Sequence, residues 1–153
     1  MKFITNPLST AVRKFVFATV LVLLGSLAAA QIGYSEDTTL ELLAQYDPEP
    51  QAAGYVAVGT EFEFEVTNGS VIALRGNGPL GEPQLRFVGT LIGAVSGYGA
   101  DMAGPVTNYL RQQQDEFVGL GPIMVAVGDY HLLVQIDDTD AGREITFGLS
   151  PQV

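Results

Sequence analysis

The 153-residue chain has no Cys and a single His, His131. Without Cys there are no disulfides, thiolate zinc sites, iron–sulfur ligands or cysteine nucleophiles. One imidazole excludes a two-histidine metal site or a histidine proton relay within one chain. Cations are scarce as well: 7 Lys and Arg stand against 17 Asp and Glu, a net charge of −10. That balance argues against nucleic acid as a partner, because backbone binding is driven by Lys and Arg displacing counterions from phosphates.

The few cations are unevenly placed. Lys2, Arg13 and Lys14 precede a run from Phe15 to Ala30 in which 13 of 16 residues are apolar. The run ends Ser-Leu-Ala-Ala-Ala-Gln, so a charged start, an apolar stretch and small residues at Ala28 and Ala30 read as a secretory signal cleaved after Ala30. An uncleaved anchor needs roughly 20 apolar residues, more than the run supplies. No Cys follows to take a lipid anchor, and no span remains after cleavage. The expected location is a bacterial periplasm or the medium. Residues 31–153 then hold all 17 acids against Arg75, Arg86, Arg111 and Arg143, a charge of −13 with no Lys. The length allows one ordinary domain, and the 47% apolar fraction is that of a globular chain.

Three parts are expected: the signal at 1–30, a lead-in at 31–54 with a short helix, and a single α+β domain at 55–153. Thr38-Thr39-Leu40-Glu41 has the spacing of a capping box, and 47–54, with two prolines, reads as a loop. Thr60 to Thr67 alternates strictly, the period of a half-buried strand, and Asn68-Gly69 closes a hairpin. A three-residue bulged turn is preferred there, because it sets Phe64 opposite Ile72, Phe62 opposite Leu74 and Glu61 opposite Arg75, separating an apolar face from an acidic one. Arg75–Gln84 reads as an exposed loop. Leu85–Val95, apolar on both sides, reads as a central strand, with Gly89 and Gly93 marking a bulge or a close approach. After a Gly-rich link, Pro105 opens a helix over about 105–119 whose stripe is Val106, Tyr109, Leu110, Phe117 and Leu120. Strands follow at 122–127, 130–136 and 144–149, the first two joined by a type II′ turn at Gly128-Asp129. The expectation is a mostly antiparallel sheet with the 105–119 helix on one face.

Candidate chemistry is sparse. Asp137, Asp138, Asp140 and Glu144 surround a Gly turn and echo part of a calcium loop, though clustered Asp and Gly also build ordinary turns. Calcium is the only cofactor the sequence suggests. Glu61, Glu63 and Glu65 share a strand face at roughly 7 Å intervals. That separation does not forbid a carboxylate hydrolase, yet acids on an open face lack the burial that raises the proton affinity of its acid partner, and they more often solvate a strand and discourage edge pairing. His131 has no Gly-x-Ser-x-Gly elbow to serve, and Gly97-Tyr98-Gly99 lacks the third glycine of a dinucleotide loop. The sequence favours an exported, acidic, non-catalytic module that binds a protein, an envelope component or a cation. A glycosidase-like hydrolase is the alternative.

Overall fold

The computed structural model describes residues 34–153, so the expected signal lies outside the described residues. Seven antiparallel strands form one sheet in the order β1-β2-β3-β4-β7-β6-β5. They are β1 Glu49–Gln51, β2 Gly54–Ala57, β3 Thr60–Thr67, β4 Ser70–Pro79, β5 Ile123–Val127, β6 Tyr130–Thr139 and β7 Gly142–Pro151. Three helices accompany them: α1 Glu36–Leu42, followed by a 3₁₀ turn at Ala44–Tyr46, α2 Glu82–Ser96 and α3 Ala100–Phe117. The α+β class holds, with more sheet than helix.

In the lead-in, the helix cap is Ser35, whose hydroxyl accepts the Thr38 amide, three residues before the expected start. Thr39 turns its hydroxyl back to the Ser35 carbonyl, and Leu43 is fully buried in the common core. The stretch expected as a loop after Asp47 contains β1, which pairs with β2. Pro50 is tolerated there because β1 is a sheet edge, where a missing N–H costs no ladder bond.

The β3–β4 hairpin turns on Asn68 and Gly69 alone, with φ of 51° and 80°, the two left-handed positions of a type I′ turn. Thr67 pairs with Ser70 and Val66 with Val71, and the register shifts before Glu65 meets Ala73. Ile72 is thus the extra residue of a bulge, placed in β4 and not in the turn. It still separates the faces, but Phe64 lies opposite Leu74, Phe62 opposite Gly76 and Glu63 opposite Arg75, replacing the expected pairs.

Arg75–Pro79, expected as loop, completes β4 and pairs with β7. The glycines fit because Gly76 and Gly78 lie under close neighbours: a Cβ on Gly76 would stand 2.6 Å from the Phe147 ring.

The expected strand at Leu85–Val95 is the heart of α2 instead. An apolar run of this length has no distinguishing period when buried on several sides, which is where α2 lies. Its signals sit at the ends: Pro83 in the first turn, and Gly97 with φ 78° closing the C-terminus. The close approach expected at Gly89 and Gly93 is present, between helices. A Cβ on Gly89 would meet the Thr107 hydroxyl at 2.0 Å, and one on Gly93 would meet the Gly99 carbonyl at 2.3 Å.

α3 begins at Ala100, five residues before Pro105, which lies inside it. Gly99, with φ 54° and its amide on the Gly93 carbonyl at 2.8 Å, starts the helix early. Val106, Leu110 and Phe117 are buried as expected. Leu120, beyond the helix end, is 69% exposed.

α2 and α3 cover the sheet face formed by Phe62, Leu74, Leu132, Val134, Ile136, Ile145, Phe147 and Leu149, all in one core. No described helix is long and apolar enough to cross a membrane.

Candidate functional site

The acidic turn is tighter than its sequence suggests. β6 and β7 pair up to Thr139 and Gly142, leaving Asp140 and Ala141 as the loop, and the Thr139 hydroxyl donates to the Gly142 carbonyl. Side chains alternate across the sheet, so Asp138 and Arg143 form one cross-strand pair while Asp137 and Glu144 form the next on the opposite face. Arg143 binds Asp138 at 2.9 Å and Asp115 of α3 at 2.5 Å. Those two carboxylates raise its already high proton affinity. Asp137 accepts from the Gln135 amide at 2.6 Å. Of the four candidate calcium ligands, Asp138 thus lies on one face, Asp137 and Glu144 on the other and Asp140 in the loop, and no group of three His, Asp or Glu among the described residues is arranged to hold a metal.

The three glutamates of β3 do share one face, the one away from the helices. Glu61 is exposed and lies opposite Asn77, Glu63 is ion-paired with Arg75, and Glu65 lies opposite Ala73. Burial raises the proton affinity of Glu65, with Arg75 opposing it. A row of acids on a strand gave no sign that one would be desolvated.

His131 stands on the same far face, between Ala126 and Ser150 in register. Ser150 is fully buried, and its hydroxyl has no hydrogen-bond partner among the described residues. A nucleophile and its base must be hydrogen-bonded, so the pair is not assembled for Ser–His chemistry. Sequence reasoning missed Ser150, since no motif surrounds it.

A concavity among the described residues lies on the helix side, at the end of the sheet. An open groove of about 360 Å³ runs between α3 and β5. Met102, Pro105, Val106 and Tyr109 form its wall, and Val125, Val127 and Leu132 its floor. The β5–β6 turn closes one end. Gly128, φ 57°, is first in a two-residue loop whose second residue has negative φ, as expected of type II′. The Tyr98 ring lies against Gly128, and its hydroxyl donates to Asp129 at 3.1 Å, which raises the proton affinity of that phenol.

β5 is the last strand of the sheet. A two-residue turn makes Val127 and Tyr130 a hydrogen-bonded pair, so Val125 and Ile123 also face β6 with their backbones. The N–H and C=O groups of Met124 and Ala126 then point outward, along an edge with no charged side chain. The Met124 side chain is 55% exposed.

No family model matches the chain, and searches of curated proteins and of solved structures returned no match.

Proposed function

We propose that this protein is an exported, non-catalytic acidic module that binds a partner protein or envelope component, its leader being removed after Ala30. The observation that carries the reading is the α3–β5 groove: it is lined by apolar side chains, with no carboxylate, imidazole or guanidinium, beside a sheet edge that pairs with no further strand among the described residues. Such a lining binds and orients but supplies no acid, base or nucleophile. Elsewhere the four described Arg are engaged with acids, Arg75 with Glu63, Arg86 and Arg111 with Glu82, and Arg143 with Asp115 and Asp138. Among partner classes a cation at the acidic turn is least favoured, because Arg143 already neutralises Asp138.

The test is affinity capture from native envelope and medium with residues 31–153 as bait, alongside turnover assays on glycan, ester and phosphate substrates. Specific capture without turnover is expected, together with an isolated protein whose first residue is Gln31. Turnover abolished by Glu65→Gln would overturn the reading.

One observation favours a second reading, a carboxylate hydrolase: Glu65 holds its proton more tightly than usual beside the ion-paired Glu63. Alternate residues on a strand face stand roughly 7 Å apart, within the range of a glycosidase pair. Unchanged kinetics in Glu63→Gln and Glu65→Gln variants would remove it.

A further inference from the structure

The two edges of the sheet are built differently. β1, at one end, is three residues long, exposed at every residue, and carries Glu49 and Pro50, a charge and a missing donor that discourage a further strand. β5, at the other end, is Ile-Met-Val-Ala-Val, with no charge, no proline and no register shift in its pairing with β6. Exposed apolar edges of this kind are templates for another strand. Resting on the binding-module reading above, we infer that the outer edge of β5 is a strand-addition site. Its occupant is an extended segment of a partner protein with apolar residues at alternate positions and Lys or Arg at its ends.

The backbone supplies the first half of the argument. The outward N–H and C=O groups of Met124 and Ala126 match the hydrogen-bonding period of an antiparallel or parallel neighbour. A strand docked about 4.8 Å outside β5 places every second side chain over the groove against Tyr109 and Met102. That alternation gives the apolar requirement.

Charge supplies the second half. Asp101 and Asp129 flank the Gly128 end of the groove, and Glu116, two helical turns after Tyr109, stands on the groove side of α3 toward the other end. None of the three is ion-paired among the described residues, and each of the four described Arg is held by acids elsewhere. A segment with basic ends meets complementary charge at both ends of the edge. A second copy is the less suitable occupant. Antiparallel pairing of two β5 edges would set Asp129 of one copy toward Glu116 of the other, between chains carrying −13 each over residues 31–153.

The test uses the protein purified after export and two fluorescein-labelled nonapeptides, Lys-Thr-Val-Thr-Val-Thr-Val-Thr-Lys and the same sequence with Glu at both ends. Fluorescence anisotropy is expected to give a Kd of about 10–100 μM for the first and at least about tenfold weaker binding for the second. Raising NaCl from about 50 to 300 mM is expected to weaken the first several-fold. Ala126→Pro deletes an outward donor without touching the β6 ladder, so it is expected to abolish binding with the melting temperature unchanged. Tyr109→Ala, which opens the groove wall, repeats the loss should the proline variant melt early. Equal binding of both peptides, full binding by Ala126→Pro and Tyr109→Ala, or no binding at about 1 mM peptide overturns the inference. A dimer in sedimentation velocity that Ala126→Pro dissociates also overturns it, by naming the second copy as occupant. Native capture that Ala126→Pro leaves intact defeats this site alone. Absent capture with catalytic turnover defeats the module reading itself.

Discussion

Asp137 and Glu144 face one another directly across β6 and β7. Like charges in that position repel, so Glu144→Lys is expected to stabilise the protein by about 0.2–1 kcal/mol in urea titrations at low salt, with the gain shrinking as salt is added. The same variant addresses the calcium expectation. If the pair held a cation, millimolar calcium would raise the wild-type melting temperature and Glu144→Lys would abolish the rise; a flat response is expected. Glu82 gives a pH-dependent test. Hydrogen bonds from Arg111, then from Arg86, hold its carboxyl down at about 2, below its ordinary 4.5. Its contribution to stability is thus present above pH 4.5 and lost as pH falls toward 2. The melting-temperature difference between wild type and Glu82→Gln is expected to close over that window, and a difference constant with pH would contradict the ion-pair geometry. The pair is exposed, so the difference is small and falls with salt. At this scale the sequence displayed which residues are acidic but not their partners. Arg75 was expected to meet Glu61 and meets Glu63, because the turn has two residues and not three and a bulge at Ile72 adds one more step, together moving the register by two residues.

Among elements, the α2–α3 hairpin depends most on small residues. Gly89 lies against Thr107 and the Ala103 carbonyl so closely that a methyl group cannot enter without moving α3. Gly89→Ala is expected to destabilise by about 1–3 kcal/mol despite the better helix propensity of Ala, measured by the urea midpoint. Stabilisation would mean that the helices do not touch there. The glycines were legible as a close approach, while the element bearing them was not. An element buried on several sides shows neither a period of 2 nor one of 3.6, so the 85–95 run fitted strand and helix alike. The strands β3, β6 and β7 were legible from alternation in the sequence, but burial follows that alternation only in part: it does so at the start of β3, whereas Leu132–Ile136 of β6 and Phe147–Pro151 of β7 are buried without a break. The groove was invisible for a different reason. Tyr109 and Val125 are separated by a helix end and a turn, and only packing brings α3 over β5.

On the scale of the whole molecule, the first four strands and the last three become one sheet through β4 and β7 alone. Phe147 sits at that junction, fully buried and in contact distance of Gly76 across the pair. Phe147→Ala is expected to cost about 3–5 kcal/mol, and unfolding followed by far-ultraviolet circular dichroism and by tyrosine fluorescence should coincide in one transition. Separate transitions would show two independently stable halves. The sequence by itself determined the α+β class, the place of the hairpin at Asn68-Gly69 though not its two-residue form, the type II′ turn at Gly128-Asp129, and the acidic balance, because composition, period and turn chemistry are local properties. Tertiary structure decided the rest. The strand order, the helix at 82–96, the division of the acidic turn between two faces, and the contrast between a blunted β1 edge and an uncharged β5 edge all depend on residues distant in the chain. Those features arise where packing and long-range backbone pairing override local preference, and a neighbour far along the chain leaves no mark on the local pattern.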